Sequence, residues 1–218
     1  MSLSDMPQAP ADFGGSSTHE ASAAAMRERR SVVRRTLRGA AMGLWGAVLL
    51  TGTYLIIEQL IGNFHTVVPG QLYRSAQIDA DELPAIQAKY GVRTVINLRG
   101  ASSKPWHAAE VAESERLGMT HIDYGLSAGR ELTQKQVEEL VTIMRDAPKP
   151  ILVHCKGGSD RSGIASALYI AAIEKGSEEA AEWQLSLFYG HFPIPYFPAW
   201  AMDETFERIE PWLGYSGS

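Results

Sequence analysis

The chain has 218 residues, 45% of them hydrophobic and 21% charged, with a net charge of −5. That is a globular composition with room for one ordinary domain plus extras, and its charge gives no general reason to bind nucleic acid. A single cysteine excludes an intramolecular disulfide framework.

Residues 1–25 are rich in Ser, Ala, Pro and Gly without a sustained hydrophobic period and read as a disordered tail. A basic block follows. Between Met26 and Gly39 stand six arginines against one glutamate, a local net of +5 that leaves about −10 for the rest. The tail with this block is taken as residues 1–38. The next nineteen residues, Gly39 to Ile57, carry no charge. At 1.5 Å per residue they extend roughly 28 Å, about the thickness of a bilayer core, so residues 39–60 are expected to form a transmembrane helix. A cleaved signal peptide would need a small-x-small site, which Glu58-Gln59-Leu60 does not supply. Arginines before the span and few cations after it place the N-terminus in the cytoplasm and the following domain outside, in the periplasm of a Gram-negative cell.

From residue 63 to 218 the pattern is that of one α/β domain: a central, mainly parallel sheet flanked by helices. Thr66 to Tyr73 reads as a short strand pair around Pro69-Gly70, and Asp79 to Tyr90 as a helix stopped by Gly91. Strands are expected at Arg93–Leu98 and Met119–Tyr124, with a helix at Lys104–Leu117 between them. Thr133 caps a helix to Asp146 whose Val137, Leu140, Val141 and Met144 recur at helical spacing. Ile151-Leu152-Val153 is a fully apolar strand suited to the centre of a parallel sheet. Helices near 161–175, 177–189 and 198–212 complete the pattern, the last two joined by an aromatic, proline-rich connector at 188–197.

The chemistry concentrates at residues 154–163, HCKGGSDRSG. A strand running into a glycine loop and then a helix N-terminus turns backbone N–H groups and the helix dipole on one point, which makes an anion site. Gly157 and Gly158 allow the tight backbone path, and Lys156 and Ser159 complete the loop. Cys155 at the mouth of that site faces the same donors, which favour its thiolate, a strong nucleophile. Arg161 can hold two phosphate oxygens, and Ser162 can hydrogen-bond the sulfur as it leaves. His154, on the strand side, orients the loop and does not act as a base.

His154-Cys155-x-x-Gly158-x-x-Arg161-Ser162 resembles the H-C-x-x-G-x-x-R-[ST] signature of the tyrosine and dual-specificity phosphatases. LYRSAQ (72–77) and VINLRG (95–100) resemble the small bacterial members, so the likeness runs from about Val67 to Trp212. It implies a dual-specificity phosphatase-like fold and phosphomonoester hydrolysis through a phosphocysteine, with no cofactor. The histidines at 107, 121 and 191 share no metal-ligand spacing, and no metal is expected.

The leaving group needs a proton, and three carboxylates are candidates. The run G-x-D-R-S at 158–162 resembles the G-x-D-R-T of myotubularins and of bacterial phosphatases with phosphoinositide activity, which implies Asp160 as the acid, and Asp160 is preferred. Asp123 lies 32 residues before Cys155, the family distance, but inside an expected strand. Glu131 lies in the following loop. Arg74 and Arg99, at strand ends, are candidates for the substrate mouth. Substrates on this reading are phosphorylated protein or phospholipid at the membrane, with inositol phosphate hydrolysis and silent phosphate binding as alternatives.

Overall fold

The computed structural model describes residues 15–215. The chain divides into two compact units, residues 1–53 and 54–218. Helix α1, Gly15–Leu60, starts in the first and ends in the second. Residues 1–14 of the expected tail lie outside the described residues, but helix begins at Gly15, well before the expected position 39. Ala and Arg, which dominate positions 21–38, are strong helix formers, so the basic block continues the apolar helix instead of forming a separate coil. Within α1, Val33–Leu60 is long and apolar enough to cross a membrane, and Leu44, Trp45, Leu49 and Leu50 are exposed on it.

In the second unit, the strands are β1 (His65–Val68), β2 (Leu72–Ser75), β3 (Thr94–Asn97), β4 (Thr120–Asp123) and β5 (Ile151–His154). They form a sheet in the order β1-β2-β5-β3-β4. Only β1–β2 is antiparallel; β5 lies parallel between β2 and β3, which is the expected mainly parallel sheet. The apolar β5 is wholly buried because it is central and covered on both faces. Its Ile151 and Val153 pack on one side with residues of α4 (Gln134–Asp146), α5 (Asp160–Leu168) and α7 (Ala201–Leu213). Leu152, pointing the other way, packs with Leu83 and Ile86 of α2 (Leu83–Tyr90) and with Leu117, just past α3 (Pro105–Arg116). Thr133 caps α4 as expected, its side chain accepting from Gln136 N–H.

One helix is much shorter than its sequence pattern suggested. Instead of spanning 177–189, α6 covers only Glu178–Glu182, followed by tight turns at Trp183–Leu185 and Leu187–Tyr189. The cause is tertiary. Gln184 gives both its backbone carbonyl and its side-chain oxygen to Arg74, and Ser186 becomes extended. A buried guanidinium, with no carboxylate ion pair among the described residues, outweighs the local preference for helix.

Candidate active site

The carboxyl ends of the parallel strands lie along one edge: Ser75 and Asn97 flank His154 in register, and Asp123 follows Asn97. This is where α/β proteins assemble their sites. β5 runs through His154 into Cys155, and the loop ends at Asp160, the first residue of α5. Cys155 is 3% exposed. Its Sγ accepts the Gly158 N–H at 3.2 Å and lies 3.5 Å from Ser162 Oγ.

The loop is shaped by donors behind it. Asn63 Nδ2 and Gln59 Nε2 each donate to the Gly157 carbonyl at 2.9 Å. Arg74 donates to the Gly158 and Ser159 carbonyls at 2.9 and 2.8 Å. In a trans peptide the carbonyl and the following N–H point oppositely, so drawing three carbonyls outward turns the next N–H groups toward the sulfur side. Gly158 is required for this path. Its φ is +72°, and a Cβ there would lie 2.6 Å from Ala76 N.

Arg74 therefore does not line a solvent-facing mouth. It is fully buried, lies under the loop and stacks on Tyr189 at 4.1 Å. Burial lowers its pKa to about 10, with Tyr189, Cys155 and Asp160 opposing that fall, so it stays cationic at neutral pH. A fixed positive charge beneath the loop favours a bound phosphate. Arg99 is half-buried, stacks over Trp106 at 3.9 Å and donates to Gln77 Oε1.

Arg161 reaches from α5 toward the loops after β3 and β4, where its guanidinium donates to the carbonyls of Leu98 and Leu126 at 3.3 and 3.4 Å. Its Nε is buried without a partner among the described residues, a donor available to an oxyanion. Beside Leu126 lies a cavity of about 320 Å³ lined also by Ser127, Arg130 and Glu131. Lys156 is exposed on the loop.

His154 is fully buried, and its Nε2 lies 3.1 Å from Glu110 Oε1. Glu110 also pairs with His121 at 2.8 Å and accepts from Gln77 at 2.6 Å. Burial works against the Glu110 carboxylate, but the bonds from His121, His154 and Gln77 prevail and hold its pKa at about 2. Spacing gave no sign of this residue, which sits mid-helix in PWHAAEVAESER.

The three candidate acids have different surroundings. Asp160 Oδ1 lies 2.8 Å from His191 Nδ1. Asp123 accepts from Asn97 at 2.7 Å and pairs with His107 at 2.8 Å. Glu131 pairs with Arg208 of α7 at 3.1 Å. His191 and its second partner, Asp203, were missed in the sequence because they lie on remote segments.

A nucleophilic cysteine cradled between a parallel strand and a helix N-terminus, with an arginine in the first turn of that helix, defines a cysteine-dependent phosphatase. The tyrosine phosphatase family model matches residues 61–183, more than half of the chain, and the chain belongs to that family. Among solved structures it is similar to P. aeruginosa TpbA, 20% identical, covering 67% of this chain and 84% of that one at a TM-score of 0.53. It is also similar to PTPMT1 (17% identical, 69% and 98% covered, TM-score 0.53). The core of the S. cerevisiae PP-IP phosphatase SIW14 matches at 18% identity, 71% and 94% coverage and a TM-score of 0.51. At such identities the likeness is one of fold. A beta-lactamase hydrolase-like protein of Agrobacterium fabrum is 28% identical over 80 residues, 36% of this chain and 18% of that protein. The chain thus spans less than a fifth of that relative's length.

Proposed function

We propose that the chain is a membrane-anchored phosphomonoesterase of the dual-specificity or tyrosine type, working through a phosphocysteine at Cys155. The observation that carries this reading is the cradle itself: Sγ 3.2 Å from the Gly158 N–H, Ser162 Oγ 3.5 Å away, and Arg161 Nε buried and unpartnered among the described residues. The thiolate attacks phosphorus as the bond to the leaving oxygen breaks, and Arg161 takes up charge on the equatorial oxygens. Asp160 gives the leaving oxygen its proton. Water then attacks the phosphocysteine, and the Ser162 hydroxyl donates to the departing sulfur. His154 and the loop residues Lys156, Gly157, Gly158 and Ser159 hold the phosphate site, without metal or cofactor.

The exposed apolar helix Val33–Leu60 supports anchoring, and the arginines before it support a cytoplasmic N-terminus with the catalytic unit outside. A C-terminal reporter active only in the cytoplasm tests that orientation and should be silent.

Phosphorylated protein is the first substrate class, and a TpbA structure containing phosphotyrosine supports it. A phospholipid or inositol phosphate is the second reading. It is favoured by Gln59 at the end of α1 donating to the phosphate loop, and by exposed Phe188, Phe192 and Phe197 on the connector. In the full chain, Cys155→Ser should abolish hydrolysis while keeping phosphate binding. Hydrolysis undiminished by that change would sink the phosphocysteine mechanism. Equal absence of turnover in wild type, across phosphopeptides, phosphoinositides and phosphatidylglycerophosphate, would leave a phosphate-binding module.

A further inference from the structure

His191 is fully buried and lies between two carboxylates. Its Nδ1 is 2.8 Å from Asp160 Oδ1 and its Nε2 is 2.8 Å from Asp203 Oδ2. Each contact needs one hydrogen. A neutral imidazole has one, and two carboxylates have none, so the group holds a second proton, on the ring or on a carboxyl oxygen. The backbone fixes the ring as well, because His191 N–H donates to the Ser186 carbonyl. The charged groups facing the imidazole are Asp160 of α5 and Asp203 of α7. Arg74 of β2 lies beyond Asp160, bonded to the loop carbonyls.

We propose that His191 is a positioning residue for this reaction: by donating Nδ1–H to Asp160 Oδ1, it confines the catalytic proton of Asp160 to Oδ2. The inference rests on the reading of Asp160 as the acid. The step balances simply. The P–O bond breaks with its electron pair on the leaving oxygen, which takes the Oδ2 proton. The Asp160 carboxylate so formed is stabilised by His191, itself held by Asp203. When water attacks the phosphocysteine, a water proton returns to Oδ2 and the thiolate is released. Burial opposes charge on His191, but bonding to Asp160 and Asp203 outweighs it and raises its pKa to about 9 with both carboxylates ionised, the state reached once Asp160 has given up its proton. While Oδ2 carries the catalytic proton, the Asp203 carboxylate is the charge that keeps the ring a donor at both nitrogens.

The test uses the full chain and two substrates, an alkyl phosphate that needs a proton on leaving and an activated aryl phosphate that does not. A general acid contributes roughly 10²–10⁴-fold, so losing its positioning should lower kcat/KM for the alkyl ester about tenfold or more. The aryl ester should change less than about threefold, and vanadate affinity should hold. His191→Ala should show this pattern, and His191→Gln, which keeps one donor, should partly restore the alkyl rate. Asp203→Asn keeps the packing and tests the same coupling with little risk to folding. If Asp160→Asn discriminates between the two esters while His191→Ala and Asp203→Asn lower both rates equally, the role of His191 is overturned and the acid assignment survives. If Asp160→Asn does not discriminate either, the acid assignment falls and the inference with it. A ¹⁵N signal showing Nδ1 without a hydrogen at neutral pH would also overturn it.

Discussion

The side-chain amide of Gln59, in the last turn of α1, donates to the backbone carbonyl of Gly157 in the phosphate loop at 2.9 Å. The end of the apolar helix is thus built into the loop that surrounds the nucleophile. Asn63 shares that carbonyl and also donates to Tyr189, tying the same turn to the connector beside the site. Gln59→Ala removes one of the two donors to Gly157 and leaves the other. A hydrogen bond of this kind is worth about 1 kcal/mol, so KM for a small phosphate ester should rise about fivefold with kcat nearly unchanged. Steady-state kinetics on the full chain measures this. An unaltered KM would mean that Asn63 alone sets the position of Gly157.

Gly158 and Gly157 stand side by side but should respond differently to a methyl group. At Gly158 the backbone is left-handed, and Cβ would press within 2.6 Å of Ala76 N and 2.8 Å of the Ser75 carbonyl carbon. Gly157 has no such strain, and its Cβ would meet Ser159 Oγ at 3.5 Å and the Gln59 side-chain amide at 3.8 and 3.9 Å, all ordinary contacts. Gly158→Ala should cost about 2 kcal/mol or more and abolish turnover, because the N–H bonded to Cys155 is displaced. Gly157→Ala should keep most of the stability. Denaturant melts of the two variants decide it.

Glu110 makes acid stability depend on the support of the phosphate loop. Its folded pKa of about 2 lies below the ordinary carboxylate value, so its contribution is complete above about pH 4.5 and is lost as pH falls toward 2. The size is on the order of 3 kcal/mol, from 1.36 kcal/mol per pKa unit. Glu110→Gln, which places an amide where His121, His154 and Gln77 need an acceptor, should lower Tm at pH 7 and flatten the fall in Tm between pH 4.5 and 2. A variant with the wild-type acid slope would show that Glu110 is not the group responsible.

What could be read in the sequence was short-range. Cys155, Gly158, Arg161 and Ser162 lie within eight consecutive residues, so one strand–loop–helix unit fixes their relation. The alternation of strands and helices, and the burial of Ile151-Leu152-Val153, likewise followed from local pattern. The supporting residues were not local: His191 lies 31 positions from Asp160, Glu110 lies 44 from His154, and Gln59 lies 98 from Gly157. Arg74 shows the difference most clearly. Its place at a strand end suggested a mouth, but the pairing of Arg74 with Val153 in the β2–β5 register puts it beneath the loop, where it also reshapes Trp183–Leu185. A long polar side chain in a short strand has no sequence signature for which face it takes when both faces are covered.

Away from the site, Glu178 and Glu182 of α6 meet Glu210 of α7, with one carboxylate oxygen from each lying within 4.8 Å of the others. Glu210 is 8% exposed, and the Oε1 atoms of Glu178 and Glu210 are buried without a partner among the described residues. Burial first, and then the neighbouring carboxylates, raise the pKa of both Glu182 and Glu210. The sign is opposite to that of Glu110. A carboxyl group whose folded pKa is raised costs stability while ionised, and the cost disappears as pH falls below its unfolded value. Glu210→Gln keeps the shape and removes one charge, so Tm at pH 7.5 should rise by about 2–4 °C for each kcal/mol relieved. The gain over wild type should shrink toward zero near pH 4, where the carboxyls take up protons. A Tm difference that is the same at both pH values would assign the effect to packing of the amide and not to repulsion among the three carboxylates.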